Sequence, residues 1–373
     1  MLDKQEIDIF GKKKLTVPKT EGIKYAGSKL KIIPYIVNIL SELDGIDTVL
    51  DGFSGTTRVS QALAQIGYKV SSNDVSAWSE VFANCYLKAD NSEKFYQEIL
   101  NHLNNLKGYE GWFTQNYGGT QKEACKPFQI KNTKKLDAIR DEIDKINIGW
   151  VDKCVILTSL IYALDSVDST LGHYAAYLSH WSQRSYKDMV LKLPRKFKNT
   201  RRHKISRADI FDILKEDNEY DLIYFDPPYG SNNEKMPPSR VRYGAYYHIW
   251  TTVIKNDKPK TFGKVGRRED SRDLIIGSVF EEFRKDEDGY YIAMKSIRKM
   301  IEEAKARYIL LSYSSGGRAT KEELNDIISK TGKLSKIIEI DYKKNVMANM
   351  RWTYEWANAD NKNKEYLFLI EKN

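Results

Sequence analysis

The segment that most restricts the fold is DTVLDGFSGTTRVSQALAQIGYKVSSNDV, from Asp47 to Val75. Thr48 to Leu50 form a short apolar run suited to a buried strand, and Gly52 to Gly55 make a tight turn. Arg58 to Gln65 then place Val59, Leu63 and Ile66 on one helical face, and Gly67 ends the helix. Tyr68 to Ser71 read as a second strand that closes at Asn73-Asp74. Strand, glycine turn, helix and strand make a βαβ unit, so the chain is expected to build a parallel sheet covered by helices.

A second α/β block begins near Ala208. DLIYFDPPYG (Asp221 to Gly230) is an apolar strand ending in a proline-rich elbow. A helix over Ser296 to Ala306, a strand over Arg307 to Ser315, a helix from Lys321 and strands around Ile337 to Ile340 and Tyr366 to Ile370 follow. Between the blocks the βαβ rhythm disappears, and a helical LDAIRDEIDKI (Leu136 to Ile146) and an apolar CVILTSLIYAL (Cys154 to Leu164) take its place. The 373 residues suffice for one large domain carrying an insertion. The expected division is an N-terminal arm and cofactor half (1–86), an inserted recognition region (87–205) and a catalytic half (206–373). The basic run Lys12 to Lys14 belongs to the arm.

Composition excludes several classes. Hydrophobic residues at 41% build a sizeable core, so global disorder is ruled out. No apolar run approaches the roughly 20 residues of a membrane span, and MLDKQEIDIF lacks the apolar centre of a secretory leader. A cytoplasmic protein with no membrane partner is expected. Cys85, Cys125 and Cys154 are scattered and odd in number, giving neither a disulfide framework nor a zinc pattern. His173 and His180, with Trp181 and Arg184 nearby, lack a further ligand, so no metal is expected. The net charge of +9 favours a polyanionic partner such as nucleic acid.

The strongest chemical signal is Asp226-Pro227-Pro228-Tyr229, at the carboxyl end of an apolar strand, where open α/β sheets place their ligands. Each proline restricts the residue before it to extended backbone, so the elbow is rigid. It sets a carboxylate, a backbone carbonyl and an aromatic ring side by side. Asp226 and the Pro227 carbonyl suit the two N–H bonds of an exocyclic amine, and Tyr229 suits the face of a planar base. The bland counterpart is a strand-ending Pro-Pro turn with a capping Asp. Upstream, the turn of Asp51, Gly52, Phe53, Ser54 and Gly55 lets backbone approach a ligand closely, but it has neither GxGxxG spacing nor a Walker lysine. Asp74, at the end of the next strand, is placed to accept bonds from two ribose hydroxyls.

Taken in order, KYAGSK (Lys24 to Lys29), DGFSG, SSNDV, RADIFDIL (Arg207 to Leu214) and DPPY resemble the Dam-like, α-ordered class of DNA adenine-N6 methyltransferases. The resemblance spans most of residues 23–370. It implies an S-adenosylmethionine-dependent methyltransferase fold: α/β, with a doubly wound, mostly parallel seven-stranded sheet and an inserted target-recognition region. It also implies S-adenosylmethionine as cofactor. Tyr25 and Lys29 match the family's aromatic and lysine that contact it, with Tyr25 standing where many members have Trp. Asp51, Phe53 and Gly55 belong to the cofactor turn, Asp74 matches the ribose acid, and Asp209 matches the acid reading the cofactor's adenine amine, with Asp212 close by.

The implied reaction is site-specific methylation of the N6 amine of a flipped adenine in double-stranded DNA, as the modification half of a restriction–modification system. Any cognate restriction endonuclease would be a separate chain. Asp226, Pro227, Pro228 and Tyr229 are the expected catalytic elbow. The basic stretch ending at Arg207 nominates Arg195, Lys196, Lys198, Arg201 and Arg202 for phosphates. After the elbow, Tyr243, Tyr246 and Tyr247 are candidates for holding the flipped nucleotide, although aromatics ahead of a helix serve equally as core. Lys264 and Arg267, among Gly and Pro in NDKPKTFGKVGRRED, suit a mobile loop on phosphates or a solvated charge run. An RNA base methyltransferase would share the elbow, but KYAGSK and the long insertion argue against it. A protein-glutamine methyltransferase would begin its elbow with Asn. A catalytically inactive DNA-binding relative would not need DPPY, Asp74 and Lys29 intact.

Overall fold

The computed structural model describes residues 6–7, 13–120, 122–123, 125–231, 242–272, 275, 277–287, 289, 291–342 and 363–372. Lys12, and residues 232–241 of the Tyr- and Arg-rich stretch after the elbow, lie outside the described residues. Seven strands form the central sheet: β1 (Thr48–Asp51), β2 (Lys69–Asn73), β3 (Lys204–Ser206), β4 (Tyr220–Phe225), β5 (Ala306–Ser314), β6 (Lys333–Tyr342) and β7 (Asn363–Glu371). Their order is β6-β7-β5-β4-β1-β2-β3. Strands β3, β2, β1, β4 and β5 run parallel, and β7 is antiparallel to both of its neighbours. This is the expected mostly parallel seven-stranded sheet.

The apolar strands bury both faces, and their residues alternate between two cores. On one face Val49, Val70, Leu222, Tyr224 and Leu310 pack with helices α1 (Ile33–Ser41), α2 (Arg58–Gln65) and α3 (Ala77–Leu87). On the other, Leu50, Ile223, Phe225, Ile309 and Leu311 meet a second cluster. That cluster includes Ile210, Ile213 and Leu214 of one later helix, Ile297, Met300 and Ile301 of another, and Leu324 and Ile328 of a third. Helix α2 has the bounds expected from its pattern. The helix expected at Ser296 to Ala306 runs instead over Ile292–Glu303, because Ala293, Ile297, Met300 and Ile301 share its buried face and the chain is already extended at Ala304.

The stretch between α3 and β3 carries the helices α4 (Glu93–Asn105), α5 (Trp112–Tyr117), α6 (Ile130–Ile143) and α7 (Trp150–Val167). Its apolar core is continuous with residues on either side of it in the chain. Leu136, Ile139, Leu157 and Leu160 join one cluster with Trp78 and Phe82 of α3 and with Ile249, Trp250 and Val253 from beyond the elbow. The remaining helices are α8 (Ile210–Lys215), α9 (Tyr243–Tyr246), α10 (His248–Lys255), α11 (Ile292–Glu303) and α12 (Lys321–Thr331). Strands β1 and β4 are neighbours, and the chain leaves β1 towards β2 on one side and β4 towards β5 on the other, so their connections run in opposite directions. That divergence opens a crevice beyond the carboxyl ends of β1 and β4. No described helix is long and apolar enough to cross a membrane.

Candidate active site

A cavity of about 480 Å³ occupies that crevice, and both sequence motifs reach it. Its walls include the glycine turn from Asp51 to Thr56, together with Tyr25, Lys29, Asp74, Asp209, Asp226, Pro228 and Tyr243. Gly55 has φ of +51°, a conformation that glycine adopts without a Cβ penalty. A Cβ there would also meet the Tyr25 ring at 3.4 Å, so the turn and the N-terminal element are shaped to each other. Asp74 holds the turn in place, accepting from the Gly55 amide at 2.9 Å and the Ser76 amide at 2.8 Å. Burial raises the Asp74 carboxyl above the usual range despite those amides. Asp209 caps α8 by accepting from the Phe211 amide at 2.8 Å. Asp209 lines the cavity; Asp212 does not, and pairs with Lys215 at 2.9 Å.

Asp51, at the end of β1, is fully buried. Its Oδ2 accepts from the Ser60 hydroxyl at 2.6 Å, while Oδ1 has no hydrogen-bond partner. Burial, with Asp226 and Asp74 adding negative potential, pushes its pKa up to about 7. An orphan carboxylate oxygen in the wall of a cavity is a site for a cation or a donor. Asp51, Asp74 and the Gly55 cradle therefore fit a cationic nucleoside such as the expected cofactor.

At the elbow, five polar groups converge. The Lys29 ammonium lies 2.9 Å from Asp226 Oδ1, 3.1 Å from Glu365 Oε1 and 2.5 Å from the Tyr229 hydroxyl. Tyr229 Oη also hydrogen-bonds to Asp226 Oδ1, and it lies 2.7 Å from Glu365 Oε1. Ser312 Oγ of β5 donates to Glu365 Oε1 at 2.7 Å. Burial pushes the Asp226 carboxyl up to about 6; Lys29 pulls the other way and Glu365 adds to the rise. Burial alone would lower the Lys29 ammonium, but Asp226 and Glu365 outweigh it and hold it above its ordinary value.

The elbow differs from expectation at two residues. Tyr229 does not line the cavity: its hydroxyl is drawn into the acid–lysine cluster and its ring packs on Tyr313, with centroids 4.8 Å apart. Pro227 is buried, and Pro228 is the proline that lines the wall. Glu365 and Ser312 belong to no motif. The only sequence signal for Glu365 is an acid inside the otherwise apolar EYLFLI (Glu365 to Ile370). Glu281 was likewise illegible; it lines the cavity, and burial pushes its carboxyl up to about 7.

The candidates for nucleic-acid contact separate into distinct places. Tyr243 lines the cavity and its ring stacks on Tyr25 at 5.4 Å. Tyr246 stacks on His173 at 4.4 Å. Tyr247 is core: it is 1% exposed, stacks on Trp250 at 4.2 Å and accepts the Ala26 amide at 2.7 Å. The basic cluster is not one face. Arg195 pairs with Glu21, and Lys196 donates to the Asn91 carbonyl over the Tyr96 ring. Arg201 grips Asp47 at 2.7 and 2.8 Å, at the amino end of β1, opposite the cavity. Lys198 and Arg202 are exposed. Arg207, by contrast, lines the cavity.

The stretch read as a mobile loop is a braced hairpin. Thr261–Phe262 pairs with Arg267–Arg268, and Arg268 is buried between Asp257 and Asp270 at 2.7 and 2.8 Å. The hydroxyls of Tyr117 and Tyr177, from the inserted region, donate to the Gly266 and Val265 carbonyls of its turn. Lys264 is exposed at the tip, and the Arg267 guanidinium lies over the Phe262 ring. Among the described residues no group of three or more His, Cys, Asp or Glu is arranged to hold a metal ion.

Known proteins share this arrangement of sequence. The chain is 27% identical to the "Modification methylase StsI" of Streptococcus sanguinis across 94% of its own length and 52% of that protein. It is 26% identical to the "Type II methyltransferase M.FokI" of Planomicrobium okeanokoites, covering 94% of this chain and 53% of that one. The chain thus spans about half the length of these two relatives. It spans 99% of the "Type II methyltransferase M.NlaIII" of Neisseria lactamica, at 26% identity. A family model matches residues 25–276, from the Tyr25 element through the cavity wall and the braced hairpin. The chain belongs to the D12 class N6 adenine-specific DNA methyltransferase family.

Proposed function

We propose that this chain transfers a methyl group from S-adenosylmethionine to the N6 amine of an adenine in double-stranded DNA, as the modification enzyme of a restriction–modification system. The observation that carries the reading is one cavity whose wall holds both Asp51, Gly55, Asp74 and Asp209 and the elbow residues Asp226 and Pro228. The first set suits a nucleoside cofactor and the second an exocyclic amine. When bound, S-adenosylmethionine supplies a methyl group on a positively charged sulfur. Asp74 suits its ribose hydroxyls, Asp209 its adenine amine, and Asp51 and the glycine turn its charged end.

The residues of this chain then do the rest. An adenine N6 lone pair is spread into the ring and is a poor nucleophile. Asp226, ionised and accepting an amine N–H in the cavity wall beside Pro228, favours a pyramidal nitrogen and opposes the positive charge that develops there. The nitrogen then sheds one proton, for which Asp226, raised to about 6, is the nearest acceptor. Holding the partners in line supplies much of the rate. The base must leave the helix to reach the elbow, at a cost of a few kcal/mol in stacking.

The test is transfer of labelled methyl from S-adenosylmethionine to unmethylated duplex DNA and, in parallel, to total RNA, with digestion to nucleosides. N6-methyladenine in DNA is the expected product. A methylated RNA base, or cofactor binding without any transfer, overturns the assignment. Resistance of the modified DNA to an endonuclease of matching specificity tests the restriction–modification role.

A further inference from the structure

Resting on that methyl-transfer reading, we propose that Glu365 is a positioning residue: it gives Lys29 and Tyr229 an alternative acceptor, so that Asp226 is released to take the substrate amine. In the structure Asp226 Oδ1 is already claimed, by the Lys29 ammonium at 2.9 Å and by the Tyr229 hydroxyl. One of the two oxygens of the Asp226 carboxylate is therefore latched. Glu365 Oε1 faces the same two groups, at 3.1 and 2.7 Å, and accepts Ser312 Oγ at 2.7 Å. Two donors thus bridge two acids, and either acid can keep them.

The two acids are not equally placed. Glu365 sits on β7 inside the sheet, in register with Ser314 of β5, with its side chain 8% exposed. Asp226 lies in the cavity wall, where a substrate reaches it. A neutral amine competes poorly against a buried ammonium for one carboxylate, because charge-assisted bonds are roughly twice as strong as neutral ones. With Glu365 present, Lys29 and Tyr229 leave Oδ1 without losing an ionic partner. Without it, the latch on Asp226 tightens and the buried lysine has no other acid.

The same geometry gives a pH readout. The titratable groups facing Asp226 are Lys29, Tyr229 of the elbow, Glu365 of β7, Asp51 of β1, Tyr224 of β4 and Tyr243 of α9. Glu365 raises the proton affinity of Asp226, so Glu365→Gln shifts the acid limb of the rate profile to lower pH while the rate itself falls. A side chain that only supported packing would not move that limb.

The experiment uses the full chain, single-turnover methyl transfer to unmethylated plasmid DNA across pH from about 5 to about 9, and calorimetric binding of S-adenosylmethionine. For Glu365→Gln the expected result is a rate loss of about tenfold or more, a lowered acid limb and cofactor affinity within about twofold of wild type. Ser312→Ala, which removes only the hydroxyl that orients Glu365, should act in the same direction and more weakly. A Glu365→Gln enzyme with the wild-type rate and acid limb overturns the inference. So does a Glu365→Gln protein that fails to fold or to bind cofactor while Ser312→Ala behaves as wild type. Wild-type protein that binds cofactor but methylates no DNA overturns the underlying reading instead, so the two failures are distinguishable.

Discussion

Three acids share the wall of one cavity, and each is a weaker acid there than in water. Asp51, Asp74 and Asp226 all have raised carboxyl pKa values, with burial the leading cause in each. For Asp226 the consequence follows from the proposed reaction. Replacing it by Ala removes the acceptor for the amine and should lower kcat by at least about 10²-fold, with cofactor affinity changed by less than about twofold; near-normal turnover would refute the role. In the wild type, Asp226 must be ionised, so kcat/KM should fall as pH drops below about 6. For Asp51 the consequence is stability. Its folded pKa, about 7, lies above the ordinary 3.8, so the stability it contributes is complete below that ordinary value and is lost as pH rises through about 7. Within that window the loss approaches about 1.4 kcal/mol per pH unit. Asp51→Asn should flatten this slope in urea unfolding of the cofactor-free protein between about pH 5 and about pH 8, and an unchanged slope would show that Asp51 is not the titrating group. DPPY, DGFSG and Asp74 were legible because each is a local pattern: a strand end, a turn, the end of the next strand. Glu365 was not, since it reaches Lys29 only through the pairing of β7 with β5, which no local spacing encodes.

At the scale of elements, composition misleads where a single long-range pair decides the outcome. Gly, Pro and charge in residues 256–270 suggest a mobile loop, yet buried Arg268, clamped by Asp257 and Asp270, makes a hairpin of it. In the same way, Arg195 to Arg207 read as one basic patch, but β3 carries the chain past the bottom of the sheet, where Arg201 meets Asp47. Helix α2 and strands β1 and β4 were readable because their apolar periodicity answers to a sheet that is buried on both faces. These placements lead to opposite expectations for two cations. Lys264 is exposed at the tip of a hairpin whose base, Arg268 and Ser271, lines the cavity. Lys264→Gln should weaken binding to duplex DNA and remove about one unit from the slope of log affinity against log salt. Arg201→Gln, which loses a bridge remote from the cavity, should leave that slope unchanged and cost only a little stability. Fluorescence titrations of a labelled duplex at several salt concentrations decide the matter, and equal effects from both variants would contradict the separation.

The whole molecule raises a question of cooperativity. A recognition region inserted into a catalytic domain is commonly a separable unit, and a chain of this length has room for two. Here the apolar core crosses the junction. Trp250 of α10 is 1% exposed; its ring lies 6.0 Å from Trp78 of α3 and 6.4 Å from Tyr174 of the insertion. Phe82 of α3 packs on Tyr162 of α7 at 5.8 Å. Arg140 of α6 is buried, and its guanidinium donates to the Val253 and Ile254 carbonyls of α10. Separating the halves would expose these aromatics and strand a buried guanidinium, a loss no surface rearrangement offsets. Independent unfolding of the insertion is therefore disfavoured relative to concerted unfolding. In urea, loss of helix by far-UV circular dichroism should coincide with loss of the tryptophan signal, because Trp78 and Trp250 sit at the seam. A chain lacking the residues between α3 and β3 should fail to bind S-adenosylmethionine, since Tyr25 stacks on Tyr247 and Trp250, whose own support comes from that stretch. Two resolved transitions, with the fluorescence change confined to one, would mean that the shared core is a contact between two domains. The single transition expected here would tie the stretch between α3 and β3 to the cavity wall at Tyr25 through one packed cluster.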